Sequence, residues 1–395
     1  VHINGRMIKK TDWHNNDAYI VDILPKKHKV EIKKGGYHNC QKELEVEASQ
    51  VTEAKNIVLV PEGINFRIKK KDIQALFLSP EKEKAILKNQ KQSGWSLLLF
   101  DLKNENTRPI FSLKNKSNPT SSPATSTELS NVTWSPDSRT LLIETSQGKK
   151  RTYYLIHPEN PKKNPLPVNL LQRNIKGVFF HPKDPNREFF LKENSEGASL
   201  YEADIKQEVV IAQILEKVVA VFVGKKEIYW LEEGGFFYKS NLLGEEKVQL
   251  SKEPISTEGA EYQIIKGGSD IFLLKDYTVL LLDQKKEQFV EVVSPVKGFS
   301  LSPQETKMAF WNNHEVFILF LEEQKSQPQK KKGELCFLSR FSKNIEEVLW
   351  LNEHYILFNA GEKIKISEID DRDQINIVDI AQFQHPKMFL ADDTI

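Results

Sequence analysis

Apolar residues recur along most of the chain in short runs that fit β-strands. From residue 63 onward, an apolar strand runs into a tight turn and out into another apolar strand, and this pattern occurs seven times. The central residue of each turn is Ser79, Ser135, His181, Gly224, Gly267, Ser302 or Leu351. These residues are on average about 45 positions apart, as expected for four-stranded propeller blades. The pattern predicts a β-propeller over residues 63–395, with seven blades.

The second repeat shows how one such unit can form a sheet. Its four predicted strands are Val132–Ser135, Thr140–Thr145, Thr152–Ile156 and Pro167–Leu171. Turn-forming residues, such as Gln147-Gly148, separate them. A sheet of this kind exposes two apolar faces, and stacking it between neighbouring sheets buries both.

The first 62 residues follow a different pattern of short strands and turns. The predicted strands are Val1–Ile3, Ala18–Ile23, Lys29–Lys33, Leu44–Glu47 and Asn56–Val60. Asn4-Gly5 favours a type I′ hairpin turn, and the strict alternation in Lys29–Lys33 places Val30 and Ile32 on one face. This pattern predicts a small β-sandwich or sheet, which buries too little surface to be more than marginally stable alone.

The N-terminal segment resembles the PEGA family of envelope-associated domains. The matching residues are Val1-His2-Ile3-Asn4-Gly5, Thr11, Ile23-Leu24-Pro25, Lys29–Tyr37, Leu44-Glu45-Val46 and Ile57-Val58-Leu59. The segment departs from the family at Asp12, where a proline usually stands, and at Lys26-Lys27-His28, which has no glycine. The resemblance implies a β-sandwich accessory module with no established catalytic activity.

The second repeat resembles the repeats of TolB-like propellers. Trp134-Ser135-Pro136-Asp137-Ser138-Arg139-Thr140-Leu141-Leu142-Ile143 is similar to the family signature, with Ser138 in place of the usual glycine. The resemblance implies that Ser-Pro-Asp forms the turn between the first two strands of a blade. Eight blades remain an alternative to seven if the tail Ile375–Ile395 begins another blade. Otherwise that tail, or the strand Gly63–Lys69, is expected to complete the ring.

Composition and charge exclude some classes of protein. The 395 residues include 56 Lys and Arg against 55 Asp and Glu, for a formal charge of +1. A nucleic-acid partner is not expected, because such proteins carry a clustered basic surplus. The longest apolar runs, such as Val218–Val223, are far shorter than the roughly 20 residues of a membrane helix. We treat the chain, which begins at Val1, as a fragment and keep open an upstream anchor or a C-terminal continuation.

The search for catalytic chemistry yields no predicted catalytic, cofactor-binding or metal-binding residue, and the partner-binding residues stay unknown. Gly298–Ser302 approaches a nucleophile elbow but lacks the last glycine, which favours a blade turn. His314-Glu315 has no second histidine at zinc-site spacing. Asp370-Asp371-Arg372-Asp373 favours a hydrated turn over a calcium site. Cys40 and Cys336 have neither zinc nor disulfide spacing.

Two loops and the tryptophans complete the predictions from the pattern. Ser117–Thr127 and Gln324–Gly333 are expected to be exposed loops, the second with a solvated Lys330-Lys331-Lys332 run. Trp95, Trp230, Trp311 and Trp350 are expected to pack between sheets. Trp13-His14 is an aromatic pair in a polar stretch whose exposure would need a functional explanation.

The predicted domains are a PEGA-like β-sandwich at 1–62 and a TolB-like propeller at 63–395, which is open to continuation at its C-terminus. The predicted function is that of a non-enzymatic cell-envelope protein. The propeller would bind a protein or an envelope glycan, and the N-terminal module would be an accessory or anchoring domain. The alternatives are a propeller-type glycan lyase or hydrolase with its site in the channel, and the sensory domain of a larger protein. No cofactor is expected. The expected location is outside the cytoplasm, with any membrane attachment through a segment outside this chain.

Overall fold

A computed structural model of the chain describes residues 1–10, 17–64, 66, 70–91, 94–114, 127–148, 150–160, 166–168, 174–195 and 197–390. The regular structure in these ranges is β-strand, so the predicted all-β fold class is confirmed. No helix in the described part of the chain is long and apolar enough to cross a membrane. Several predictions fall outside the described residues: Thr11, Asp12, the pair Trp13-His14, most of the loop 117–127, residues 65 and 67–69 of the strand Gly63–Lys69, and the end of the tail.

The N-terminal module contains one four-stranded antiparallel sheet. Its strands are β1 (His2–Ile3), β2 (Arg6–Met7), β3 (Lys27–Ile32) and β4 (Cys40–Glu45), in the order β2-β1-β3-β4. Asn4 and Gly5 have φ values of 50° and 81°, which confirms the predicted primed turn between β1 and β2. The edge strand β4 is hydrogen-bonded to residues Asp373 and Asn376.

Two strands predicted in this module are absent from the described structure. Ala18–Ile23 and Asn56–Val60 run outside the sheet. In Asn56–Val60, backbone groups have other partners. The N–H of Val58 donates to the Tyr355 hydroxyl oxygen at 3.0 Å, and the carbonyl of Val60 accepts from His38 N–H at 2.8 Å. An apolar run alone does not distinguish these pairings from a sheet ladder.

Seven further four-stranded antiparallel sheets follow in the described ranges. The first five comprise β5 (Ile73–Leu78), β6 (Lys84–Lys91), β7 (Gly94–Asp101) and β8 (Thr107–Lys114); β9 (Glu128–Trp134), β10 (Leu141–Gln147), β11 (Lys150–Ile156) and β12 (Leu166–Pro167); β13 (Ile175–Phe180), β14 (Arg187–Asn194), β15 (Gly197–Asp204) and β16 (Val209–Leu215); β17 (Val218–Val223), β18 (Glu227–Glu232), β19 (Phe237–Asn241) and β20 (Val248–Gln249); and β21 (Tyr262–Gly267), β22 (Asp270–Lys275), β23 (Thr278–Asp283) and β24 (Gln288–Val293). The last two comprise β25 (Gly298–Leu301), β26 (Lys307–Trp311), β27 (Glu315–Phe320) and β28 (Leu335–Arg340); and β29 (Ile345–Asn352), β30 (Tyr355–Ala360), β31 (Lys363–Glu368) and β32 (Ile377–Gln382).

Each of these sheets is a meander in which consecutive strands pair, as in a propeller blade. The predicted repeats are confirmed, because every predicted central residue lies in or directly after the first strand of one sheet. The tail supplies β32, the fourth strand of the seventh sheet, and therefore does not begin an eighth blade.

The Ser-Pro turns share one hydrogen-bond pattern. The N–H of Ser79, Ser135 and Ser302 each donates to the carbonyl five residues on, at 2.8 to 2.9 Å. Each serine Oγ accepts the N–H of that same residue, at 2.9 to 3.1 Å. The third residue after the serine is left-handed, and at Ser138 φ is 57°. Ser138 therefore adopts the conformation for which the TolB-like signature carries glycine.

Tryptophans connect neighbouring sheets at equivalent positions. Trp134 Nε1 donates to the Phe77 carbonyl at 3.0 Å, and Trp350 Nε1 donates to the Ser300 carbonyl at 2.9 Å. In each case the tryptophan of one first strand bonds to the preceding first strand, two residues before its turn serine. Trp95, Trp230, Trp311 and Trp350 are all buried, which confirms that they pack between sheets.

The chain divides into two compact units. One unit contains Val1–Arg67, Lys266–Asp270 and Val292–Ile395, and the other contains Ile68–Ile265 and Ile271–Glu291. The N-terminal module thus belongs to the same unit as the last two sheets. The domain division at residue 62 stays a prediction.

Candidate functional site: the seam between the N-terminal module and the last two sheets

The seam is centred on a buried lysine of β4. Alternation along β4 buries Cys40, Lys42 and Leu44 on one side of the strand. The Lys42 Nζ lies 2.7 Å from a carboxylate oxygen of Glu368, and the two side chains are only 6% and 5% exposed. Nζ also donates to the carbonyls of Asp370 and Gln374, at 2.6 and 3.2 Å. All three ammonium protons have acceptors, as burial of a charge requires.

The run Asp370–Asp373 forms the other side of the seam. Arg372 donates to both carboxylate oxygens of Asp370 and to the carbonyl of Glu53, at 2.8 Å for the latter. Burial alone would raise the pKa of Asp370, but the hydrogen bonds from Arg372 outweigh it and hold that pKa below its ordinary value. Asp373 accepts the backbone N–H of Glu43 at 2.8 Å. The run predicted as a hydrated turn is partly exposed, with Asp373 at the surface, and it also contacts the N-terminal module.

The segment Gln324–Gly333 also belongs to the seam. Gln327 accepts the N–H of Glu53 at 2.9 Å and donates to the carbonyl of Val51 at 3.0 Å. Lys330 is 9% exposed and lies 2.7 Å from Asp371. Burial acts to lower the pKa of Lys330, but hydrogen bonds from it to Asp371 and Glu334 raise that pKa above its ordinary value. The prediction of a solvated basic loop is wrong for Lys330, because this lysine is held between two carboxylates.

A small cavity of about 40 Å³ lies within the seam, lined by Cys40, Lys42, Gln327, His354, Tyr355 and Glu368 among others. This volume suits a few water molecules, whereas sites for small organic substrates measure hundreds of Å³. Burial raises the pKa of Cys40 to about 12, with Glu368 adding to the shift. Its thiol is therefore protonated near neutral pH and is a poor nucleophile. The geometry of the seam fits a structural clamp.

A second buried carboxylate, Glu188 on β14, lies outside the seam. It is 1% exposed, and neither of its oxygens has a hydrogen-bond partner among the described residues. Burial raises its pKa to about 8. Glu188 shares a strand face with Phe190, which packs against Leu142 and Tyr153 of the preceding sheet. Its proton is therefore expected to be held at neutral pH.

The described residues contain no group of three or more His, Cys, Asp and Glu side chains that could hold a metal ion. Gly298–Leu301 is the strand β25, so the predicted blade turn at Gly298–Ser302 is wrong for these four residues, and the turn begins at Ser302.

Sequence analysis named no site residue, and the seam was missed. One signal for it exists in the sequence, because Lys42 falls at a buried position of an alternating strand between Cys40 and Leu44. A charge at such a position needs a buried partner. Nothing in the sequence identifies Glu368 as that partner, because the two residues are more than 300 positions apart.

A third feature is an exposed apolar stretch on β16, the outermost strand of its sheet. Val209, Val210 and Ile211 are 52%, 44% and 45% exposed. Scattered apolar residues are ordinary on surfaces, whereas contiguous ones often mark contact sites. The β15–β16 ladder shifts register twice, and such bulges oppose the addition of another strand. The side chains of β16, and not its backbone, are therefore available for contact.

The described sheets define the class of the chain as an all-β protein of the β-propeller type. No family model and no curated protein matches the chain. Among solved structures, it is similar to the β-propeller domain of Cps50 (Swd1) from Myceliophteria thermophila, with 13% identity over 80% of this chain and 100% of that one, at a TM-score of 0.44.

It is also similar to the uncharacterized protein lmo1340 of Listeria monocytogenes EGD-e, with 13% identity over 83% of this chain and 100% of that one, at a TM-score of 0.46. The similarity to a prolyl endopeptidase has 11% identity over 78% of this chain and 49% of the peptidase, at a TM-score of 0.48. At these identities and scores, the similarities carry no argument about function.

Proposed function

We propose that the chain is a non-enzymatic scaffold whose propeller sheets bind a protein partner, with the N-terminal module as a fixed accessory domain. The observation that carries this proposal is the exposed stretch Val209–Ile211 on β16. Most of the remaining apolar side chains in that sheet are buried between sheets. The exposure of these three is therefore not explained by packing within the fold.

The partner surface that fits this stretch is apolar. Val209 and Val210 are short β-branched side chains with restricted rotamers, so covering them costs little side-chain entropy. The proposed partner is a protein rather than a glycan, because β16 presents aliphatic side chains without the aromatic rings on which sugars stack.

The experiment is quantitative cross-linking in the source cells with the wild type and the variant V209S/V210S/I211S. We expect one partner to be recovered with the wild type and lost with the variant, and purified partner to bind directly with the same dependence. The matched control, V248S/F337S, removes exposed apolar residues from the outermost strands β20 and β28. The proposal fails if no partner depends on β16.

The non-enzymatic part of the proposal has its own test. The purified protein is expected to show no turnover of peptides or glycosides. Hydrolysis or elimination at a rate that a single carboxylate substitution abolishes would replace the scaffold with the enzyme alternative.

We also propose a location in the cell envelope, supported by the PEGA-like and TolB-like resemblances. The resemblance of the N-terminal module to the PEGA family belongs to this proposal. Fractionation of the source cells is expected to recover the protein outside the cytosol, and recovery in the cytosol would contradict the proposed location.

A further inference from the structure

The turn between β13 and β14 is held by a histidine ring. The Nδ1 of His181 accepts the backbone N–H groups of Lys183 and Asp184, at 3.2 and 2.9 Å. A backbone N–H only donates, so Nδ1 carries no proton and the neutral ring carries its proton on Nε2. The ring stacks on Phe189, with the two centroids 5.3 Å apart, which fixes its orientation. The turn therefore depends on an acceptor that protonation of the ring removes.

Another turn of the chain makes the same pair of bonds with a side chain that does not titrate. The Oδ1 of Asn312 accepts the N–H groups of His314 and Glu315, the second and third residues on, both at 2.8 Å. The Ser-Pro turns likewise use a serine oxygen as acceptor. His181 stands where those turns have serine, so its turn differs from them in having a titratable acceptor.

The turn held by His181 is bonded in its own sheet to the turn between β15 and β16. Asp184 Oδ1 accepts the N–H of Asn186 at 2.9 Å, and the carbonyl of Asn186 accepts the N–H of Ile205 at 3.0 Å. Ile205 directly follows β15, and the last residue of β15 pairs with Val209, the exposed first residue of β16. A short series of hydrogen bonds thus connects the histidine to the start of the exposed stretch.

Four charged residues act on the ring from three elements: Lys183 and Asp184 of the turn, Arg187 of β14 and Glu202 of β15. The guanidinium of Arg187 lies 3.2 Å from the Asp184 carboxylate and 3.0 Å from that of Glu202. Both carboxylates therefore already have a cation. Toward the next sheet, Phe189 belongs to an apolar cluster that includes Trp230.

Acid pH acts against this turn. Burial lowers the pKa of His181 below its ordinary value, and Glu202 and Asp184, which act to raise that pKa, do not offset it. The unfolded chain thus binds the proton more readily than the folded turn does, so the stability of the turn falls as pH falls below about 6.5. Glu188 of β14 keeps most of its proton below pH 7 and does not add to this change.

We propose that protonation of His181 loosens the β13–β14 and β15–β16 turns and so weakens the contact made by Val209–Ile211, which makes that contact sensitive to pH. The imidazolium directs an N–H at two backbone N–H groups, and these then turn to water. Once the turn opens, Asn186 no longer holds Ile205, and the start of β16 loses its fixed position. A contact surface that must first be ordered binds more weakly. This inference rests on the proposed function, because the contact that it regulates is the one proposed there.

The first test is hydrogen exchange in the free full chain at pH 5 and pH 7, with each rate divided by the intrinsic rate at that pH. We expect protection of residues 183–187 and 204–211 to be at least about fivefold lower at pH 5 than at pH 7 in the wild type. His181→Asn supplies an amide oxygen in place of Nδ1, as at Asn312, and should keep its protection at both pH values.

Two further variants complete that test. His181→Ala has no acceptor and should show low protection of both segments at both pH values. His157→Gln, which removes an exposed histidine of the preceding sheet, is the matched control and should keep the pH dependence of the wild type. Circular dichroism and thermal unfolding at pH 7 identify any variant that fails to fold.

The second test measures the dissociation constant of the partner that depends on β16. We expect it to rise at least about fivefold from pH 7 to pH 5 with the wild type and to stay constant with His181→Asn. Equal protection of the wild type at both pH values, the same pH dependence in His181→Asn, or a loss confined to residues 183–187 would overturn the proposal. So would an affinity that does not change with pH.

Failure of the proposed function gives a different result. If exchange responds to His181 as expected but no partner depends on β16, the proposed function is wrong and the regulated contact is wrong with it. The exchange data then identify the binding claim, and not the acid-sensitive turn, as the error.

Discussion

The seam and the junctions between sheets hold the molecule together by different means. Within the first unit, the sixth and seventh sheets join through an apolar cluster that includes Trp311, Ile318, Trp350 and Phe358. The N-terminal module is instead held by charged and amide groups around Lys42 and Arg372. Apolar packing depends little on the exact partner, whereas a buried charge depends on one. The seam is therefore the more specific and the more easily broken contact.

Two buried glutamates differ in whether the carboxylate has a charged partner. Glu368 is buried and paired with Lys42, whereas Glu188 is also buried and has no partner among the described residues. Burial raises the pKa of Glu188 to about 8. One carboxylate stabilises a contact as a charge, and the other is tolerated only as a neutral acid.

The largest expected effect comes from Lys42→Met, which leaves Glu368 buried without its cation. We expect a loss of about 3–5 kcal/mol in the free energy of unfolding of the N-terminal module, measured by urea denaturation and by protection of β3 and β4 from hydrogen exchange. Lys27→Met, at a lysine on β3 whose side chain is 66% exposed, is the control and should change stability by less than about 1 kcal/mol. If Lys42→Met also lost less than about 1 kcal/mol, Lys42 would contribute no more than an exposed surface lysine.

The next effect concerns pH and Glu188. The folded chain holds the Glu188 proton up to about pH 8, whereas the unfolded chain loses it near 4.5. Because the folded state binds more protons between these values, stability falls as pH rises through this window. Glu188→Gln should flatten the dependence and stabilise the protein at pH 8 by a few kcal/mol.

Urea midpoints between pH 5 and pH 8 measure that effect. Glu193→Gln is the control, because Glu193 is exposed on the same strand and pairs with Lys176 on the surface. If Glu188→Gln leaves the pH dependence of stability unchanged, the wild-type carboxylate is not a neutral buried acid. The contrast with Glu368 would then be wrong.

A smaller effect tests the junctions between sheets. Trp350→Phe removes the hydrogen bond to the Ser300 carbonyl, whereas Trp311→Phe removes a buried Nε1 that has no partner among the described residues. Both lose indole volume, so the difference isolates the bond. We expect Trp350→Phe to cost about 1 kcal/mol more than Trp311→Phe in urea unfolding. Equal costs would show that indole volume alone matters at these junctions.

The smallest effect lies in a turn. Lys82 occupies the left-handed position of the first Ser-Pro turn, with φ at 54°. Lys82→Gly relieves that conformation but adds freedom to the unfolded chain, so we expect a gain of about 0.5–1 kcal/mol. Thermal unfolding measures it, and Lys84→Gly, which lies in β6, should destabilise instead.

The repeats were predictable because each one is determined by residues that are close together in the sequence. An apolar strand, a Ser-Pro turn and a second strand lie within about 15 residues, and Ser79, Ser135 and Ser302 need only neighbours to form their turns. The seam was not predictable, because Lys42 and Arg372 meet partners hundreds of positions away. Lys330 shows the limit most clearly. A Lys-Lys-Lys run is typical of solvated loops, and only the folded chain places Asp371 beside its first lysine.

The predictions of strands at Ala18–Ile23 and Asn56–Val60 were wrong, because contacts with distant residues are not visible in a local pattern. Their apolar runs fit a ladder, but in Asn56–Val60 the hydroxyl oxygen of Tyr355 accepts the N–H of Val58.

The account depends most on the claim that the Lys42–Glu368 pair anchors the N-terminal module. A double-mutant cycle of Lys42→Met, Glu368→Gln and the combined variant tests it directly by urea unfolding. We predict a coupling free energy of at least about 2 kcal/mol, with the double variant recovering much of the loss from Lys42→Met. Single-variant costs that add to within about 0.5 kcal/mol would contradict the claim.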